Sequence, residues 1–268
     1  MDELNALQAR IEVLEQQLRL VERHAAQGFW YGLDVAYEKT LPGRRISCIV
    51  CEHADAREGF ELLVDQCMFG GGRLERYRCP HCDTVFGALK YLDLPDAIVD
   101  DDYRLLYSRY SEADLTEVEV AAFHAMNPRR EGRYLNWGSG GWSRSVAALR
   151  EEGWDVWGFE PSAGTAAQSH VMTTREQIEG RFDGVFSNNV IEHFRRPLEQ
   201  FREFHALLHE GGVMAHSSPC YEYCYAYTRF HTFFPLGRSA ETLAARTGFK
   251  PGARTSYGQY INQIFDRI

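Results

Sequence analysis

From residue 133 to residue 265 the chain alternates short strand-like runs with runs of helical period, and few folds accommodate that alternation. Arg133–Trp137 reads as a strand, followed by Gly138-Ser139-Gly140-Gly141 and a helix with Trp142, Val146 and Leu149 on one face, closed by Gly153. Residues 154–159 form the next strand, 162–168 a short helix, 171–173 a weak strand candidate and 182–187 a further strand. Pro197 opens a helix whose Leu198, Phe201, Phe204 and Leu208 share a face, stopped by Gly211-Gly212. Residues 213–216 are a strand, Ser239–Thr247 a helix ended by Gly248, and two strands fit 252–257 and 260–265. A largely helical segment, 101–126, leads in. Strands alternating with helices predict an α/β fold, a parallel sheet with helices on both faces.

Glycines directly after a strand and before a helix let a ligand approach the backbone near a helix N-terminus. Glu160 ends the second strand, 20 residues beyond Gly140. An acid there accepts hydrogen bonds from the ribose hydroxyls of an adenosyl cofactor. The dinucleotide pattern G-x-G-x-x-G wants a glycine where Ser143 stands, which turns the reading away from a nicotinamide cofactor.

Tyr134-Leu135-Asn136-Trp137-Gly138-Ser139-Gly140 and Gly158-Phe159-Glu160-Pro161-Ser162 resemble the first two motifs of class I S-adenosylmethionine-dependent methyltransferases. The run from Phe182 through Asn188-Asn189-Val190-Ile191-Glu192-His193, with Arg196-Pro197, resembles that family's fourth-strand motif. His231 with Phe233-Phe234, and Thr247-Gly248-Phe249, resemble its C-terminal signature, so the likeness covers about residues 130–268. It implies a Rossmann-like sheet of seven strands with the last antiparallel. It also implies S-adenosyl-L-methionine as cofactor, with Gly138, Ser139, Gly140 and Glu160 in contact with it and Asn188 or Asn189 beside its sulfonium. Two positions depart from the pattern. Asn136 stands where the family has an acid, and Trp142 where it has a third loop glycine.

Methylation of a hydroxyl needs alignment and a base. His193, just past the fourth strand, lies at the edge where ligands of open α/β sheets bind, and reads either as that base or as a cap of the following helix. His231 is the second candidate and His216 the third. The alternating aromatics Tyr221, Tyr223, Tyr225 and Tyr227 suit a sugar site, or a lid packed on the sheet. Cys220 and Cys224 read as packing residues.

Cys48-Ile49-Val50-Cys51 and Cys79-Pro80-His81-Cys82, with 27 residues between them, predict a four-thiolate structural Zn²⁺ site in a small ribbon. Short strands are expected around Ile46, Val50 and residues 60–64, with Gly70-Gly71-Gly72 as a turn; Cys67, His53 and His81 are bystanders. From Cys48 to Cys82 there are four basic and six acidic residues, and the whole chain carries a formal charge of −9. That balance argues against a nucleic-acid partner. No apolar run is long enough to span a membrane, and the opening residues lack the order of a secretory signal, so the chain reads as cytoplasmic.

Leu4, Leu7, Ile11, Leu14, Leu18, Val21 and Ala25 alternate spacings of three and four, the seam of a coiled coil. Arg10 and Glu15 at the flanking positions resemble a pattern of three-stranded coils, so a homo-oligomer, a trimer in the first instance, is expected; the other reading packs this helix on its own domain. The predicted domains are residues 1–27, a coiled coil; 43–95, a zinc module; and 100–268, the methyltransferase domain with its lead-in helix. A zinc module before such a domain resembles bacterial deoxysugar methyltransferases, which implies a glycan or nucleotide-sugar substrate and O-methylation of a sugar hydroxyl. C-methylation of a nucleotide-linked ketosugar, ribosomal RNA methylation, and a non-catalytic scaffold signalled by Asn136 and Trp142 are the alternatives.

Overall fold

The computed structural model describes residues 2–107, 110 and 113–268. It begins with one long helix, α1 (Asp2–Thr40). The strands β1 (Arg45–Ser47), β2 (Ala54–Ala56), β3 (Glu61–Gln66), β4 (Arg73–Arg78) and β5 (Val85–Gly87) follow. Helices α2 (Leu89–Leu92), α3 (Asp96–Tyr107) and α4 (Thr116–Ala125) lead into the α/β half. That half runs β6 (Arg133–Trp137), α5 (Arg144–Glu151), β7 (Asp155–Phe159), β8 (Val171–Met172), β9 (Phe182–Asn188) and α6 (Pro197–Leu207). It continues with β10 (Leu208–Ser218), β11 (Phe233–Phe234), α7 (Ser239–Thr247), β12 (Phe249–Tyr257) and β13 (Tyr260–Arg267).

Seven strands form one sheet in the order β12-β13-β10-β9-β6-β7-β8. Strands β6 to β10 pair in parallel, while β13 runs antiparallel to both β10 and β12, as the resemblance implies. Alternate residues of each strand serve opposite faces. Leu135 and Trp137 meet Phe201, Phe204 and Phe249 on one side, and Tyr134 and Phe186 meet Phe123, Val146 and Leu149 on the other. The order reverses between β6 and β9, which opens a crevice beyond their carboxyl ends.

Several boundaries differ from the sequence reading. Helix α5 starts after Ser143, whose hydroxyl accepts the Val146 N–H at 3.2 Å, so Trp142 lies outside the helix and is 74% exposed. Leu208 ends α6 by pairing with Phe182, and Gly211-Gly212 become a register break inside β10 rather than a stop before it. Val50 sits in a turn between β1 and β2, not in a strand. The helical lead-in is two helices, α3 and α4, and its residues 108–109 and 111–112 lie outside the described residues.

The cysteine segment is built into the α/β half. Its four-stranded sheet has the order β11-β5-β4-β3, so Phe233 and Phe234 close a sheet whose other strands precede residue 88. Arg76, fully buried, donates to the carbonyls of Ala226 (2.7 Å), Thr228 (2.7 Å) and His231 (3.1 Å). Thr84 bonds Ser239 at 2.7 Å, and Arg246 donates to the Val50 carbonyl at 2.7 Å. The second half of α1 docks through Trp30, buried against Tyr91, Val99 and Phe230. Its first half leaves Leu4, Leu7, Ile11, Leu14, Leu18 and Val21 between 49% and 74% exposed, so the heptad side chains do not pack on their own chain. Among the described residues, no helix is long and apolar enough to cross a membrane.

Candidate cofactor and catalytic site

The glycine loop after β6 follows a path that only glycine permits at its first position. Gly138 has φ +73°, and a Cβ there would stand 2.6 Å from the Val190 side chain. Gly140 has φ +70° with open space beside it, room for a ligand against the backbone. The loop is tied to β7: Gly138 and Ser139 N–H groups both donate to the Phe159 carbonyl, at 2.8 and 3.3 Å. Glu160 bridges the two predicted motifs, its Oε2 accepting the Gly140 N–H at 3.2 Å and its Oε1 the Ser162 N–H at 3.1 Å. Loop and acid therefore come together as the spacing predicted.

Asn136 is not a loose end. Buried in β6, it donates from Nδ2 to Glu119 Oε2 at 2.8 Å and to Ser145 Oγ at 3.2 Å. The Ser145 hydroxyl also donates to Glu119. A carboxylate thus stands beside Asn136 and the first turn of α5, delivered from α4 instead of from the strand. Sequence reasoning missed Glu119, because no local pattern ties it to a residue 17 positions on.

At the end of β9, Asn188 is buried with its Oδ1 unpartnered among the described residues, an acceptor available to a ligand's amino or ammonium group. Asn189 adopts φ +53° and donates its N–H to the Ser217 carbonyl at 2.9 Å, turning the chain sharply into the next residues. Open space beside Gly140, the Glu160 carboxylate and the orphan acceptor of Asn188 together fit an adenosyl amino-acid cofactor.

That turn presents Glu192 and His193. The His193 ring stands edge to face with His231, 4.9 Å between centroids. His193 Nδ1 lies 2.7 Å from Tyr103 Oη and 3.0 Å from the Phe230 carbonyl. Burial pushes the His193 imidazole down to about 4. Burial, then the charges of His193 and Arg76, hold His231 well below the usual histidine range. Cys220 Sγ lies 3.5 Å from His231 Nδ1 and 3.8 Å from Glu192 Oε1, so this cysteine borders the cluster. Tyr103 and Arg76, from elements outside the motifs, carry no sequence signal for these contacts. His216 is elsewhere: fully buried among Phe201, Phe204 and Phe265, with Nδ1 2.8 Å from Ser187 Oγ, it belongs to the core. Of the tyrosine run, Tyr221 is buried and Tyr223 donates to Asp65 at 2.7 Å, while Tyr227 points outward. Tyr225 receives a hydrogen bond from Gln259 at 2.6 Å.

The four cysteines converge on one another. Cys48 and Cys82 sulfurs are 3.6 Å apart, Cys51 and Cys79 3.4 Å, and all four lie within 4.8 Å of one another. A tetrahedral ion with metal–sulfur bonds of about 2.3 Å separates its sulfurs by about 3.8 Å, so the donor set fits zinc. Both knuckles make the same turn: Cys48 N–H donates to His53 O and Cys79 N–H to Thr84 O, each at 2.9 Å. The left-handed residue in each is Glu52 (φ 61°) and Asp83 (φ 64°).

A family described as methyltransferase domain matches residues 114–251. No curated protein matches the chain in sequence. Among solved structures, an S-adenosylmethionine-dependent methyltransferase from Mesorhizobium loti is similar at 16% identity and TM-score 0.42, over 55% of this chain and 96% of that one. The 1,6-didemethyltoxoflavin N1-methyltransferase of Burkholderia thailandensis, with S-adenosylhomocysteine bound, is similar at 16% identity and TM-score 0.47, over 72% and 95%. A methyltransferase of calicheamicin biosynthesis, in its S-adenosylhomocysteine-bound form, shares the fold at 11% identity and TM-score 0.50, over 65% and 60%.

Proposed function

Since the chain belongs to the methyltransferase-domain family, we propose that it transfers a methyl group from S-adenosyl-L-methionine to a sugar hydroxyl of a bacterial polysaccharide or its activated precursor. The observation that carries the cofactor is the Glu160 carboxylate closing on the Gly140 N–H at 3.2 Å, which holds the glycine loop and the acid as one receptor. Bound there, the cofactor supplies an electrophilic methyl group on a sulfonium. Glu160 accepts hydrogen bonds from the ribose, Gly138 and Gly140 let the backbone come close, and Ser139 orders the loop with its hydroxyl 3.1 Å from the Gly140 carbonyl. Asn188 offers its unpaired Oδ1. His193 and His231, beyond Asn189, stand at the end of the cleft that takes the acceptor hydroxyl.

The sugar reading is supported by the exposed tyrosine of the run after β10 and by the acidic balance of the chain, which disfavours a polyanion. The zinc ion is structural in this reading, since four thiolates leave it no open position. The exposed heptad seam supports a parallel trimer that gathers three sites on one repeating glycan. Titration calorimetry with S-adenosyl-L-methionine tests the donor, and mass spectrometry of surface glycans from cells with and without the gene tests the acceptor. A chain that binds no S-adenosyl-L-methionine overturns the reading. Unchanged glycans together with a salt-dependent RNA mobility shift move the acceptor to RNA.

A further inference from the structure

We infer that Glu192, His193 and His231 form a divalent-metal site at the acceptor end of the cleft, separate from the four-cysteine centre, whose ion binds the substrate hydroxyl. The inference deepens the sugar-methylation reading and takes its role, though not its geometry, from it. One ligand atom from each of the three residues lies within 4.8 Å of the other two. Two donors sharing an ion at about 2.0–2.2 Å stand no more than about 4.4 Å apart, close to the separation found here. Two imidazoles and one carboxylate form a nitrogen–oxygen set that favours Mn²⁺, Fe²⁺, Co²⁺ or Zn²⁺ over Mg²⁺ and Ca²⁺. Three protein ligands leave open positions for a hydroxyl or a pair of neighbouring hydroxyls.

The surroundings are those of a metal site. His193 Nδ1 lies 3.0 Å from the Phe230 carbonyl and 2.7 Å from Tyr103 Oη, and a ligating histidine commonly has one ring nitrogen fixed in this way. The backbones that carry the ligands are linked, with the Thr232 N–H donating to the Glu192 carbonyl at 2.9 Å. Arg76 fixes the His231 carbonyl at 3.1 Å, so the ligand on the far loop is held by the small sheet. Glu192 is 1% exposed, unlike the surface acids that cluster without consequence.

In the reaction this gives, the acceptor hydroxyl binds the ion and releases its proton to water. An oxygen electron pair then forms the O–CH₃ bond, while the pair of the breaking S–CH₃ bond stays on sulfur. Alcohol and sulfonium become methyl ether, thioether and one proton.

The test uses the full-length chain with its four-cysteine site filled by one equivalent of zinc, titrated with Mn²⁺ alone and followed by electron paramagnetic resonance. One further Mn²⁺ per chain is expected, bound at least tenfold more weakly by Glu192→Gln and by His231→Gln. Circular dichroism identifies which variants remain folded. Pulsed resonance on the wild-type protein should show nitrogen coupling from imidazole, a readout that needs no variant. No Mn²⁺ uptake, uptake equal in both folded variants, or bound Mn²⁺ without nitrogen coupling overturns the site. Mn²⁺ uptake as expected in a chain that binds no S-adenosyl-L-methionine leaves the site standing and removes the methyltransferase reading instead.

Discussion

Glu160 divides one carboxylate between two partners: Oε2 holds the Gly140 N–H, and Oε1 holds the Ser162 N–H and hydroxyl, at 3.1 and 2.5 Å. Hydrogen bonds to a charged group contribute about 1.5–3 kcal/mol each. Glu160→Ala should therefore lower affinity for S-adenosyl-L-methionine by about tenfold to a hundredfold in a calorimetric titration. An unchanged curve would place the adenosyl ribose elsewhere. This residue was legible beforehand, because a strand end, a glycine loop and a 20-residue spacing are all local to one βαβ unit. Glu119 was not. It reaches Asn136 from a helix before the sheet, and only packing brings the two within 2.8 Å.

Among the elements, α1 makes the sharpest prediction. One helix does two jobs, docking through the buried Trp30 and projecting Leu7, Ile11 and Leu14 into solvent at 49–59% exposure. Isolated helical segments of three heptads are marginal in water, so an apolar seam left bare on a continuous helix asks for a partner. Light scattering should give the mass of three chains for the full-length protein and of one chain for a truncated form beginning at Gln27, which keeps Trp30. Equal monomer masses for both would overturn the trimer. The heptad was readable because its spacing is a property of consecutive residues. The end of α6 was less so: apolar periodicity carried Leu208 onto the helical face, and a cross-strand partner, Phe182, took it for β10.

At the scale of the whole molecule, the two cysteine knuckles and the α/β half support one another. The second knuckle sits between β4 and β5, β5 pairs with β11, and β11 begins two residues after His231. Structural zinc contributes folding free energy directly. Elemental analysis should find one zinc per chain bound by Cys48, Cys51, Cys79 and Cys82. Cys51→Ser or a strong chelator should lower the melting temperature by many degrees and weaken S-adenosyl-L-methionine binding in the same transition. A metal-free chain that melts like the native protein would remove zinc from the fold.

What the sequence determined by itself is whatever consecutive or closely spaced residues encode: the order of strands and helices, the glycine loop and its acid, the two knuckles and the heptad seam. Each rests on a period or a spacing that needs no distant partner. Tertiary structure alone decided that the cysteine segment is a wall of the candidate site, through Arg76 reaching the His231 carbonyl 155 residues away. It also decided that Tyr103 meets His193 across 90 residues, and that His216 is core while His193 and His231 face each other. Such pairs are chosen by which surfaces pack when the sheet closes, a contest of burial and hydrogen bonding over the whole chain that no local pattern records.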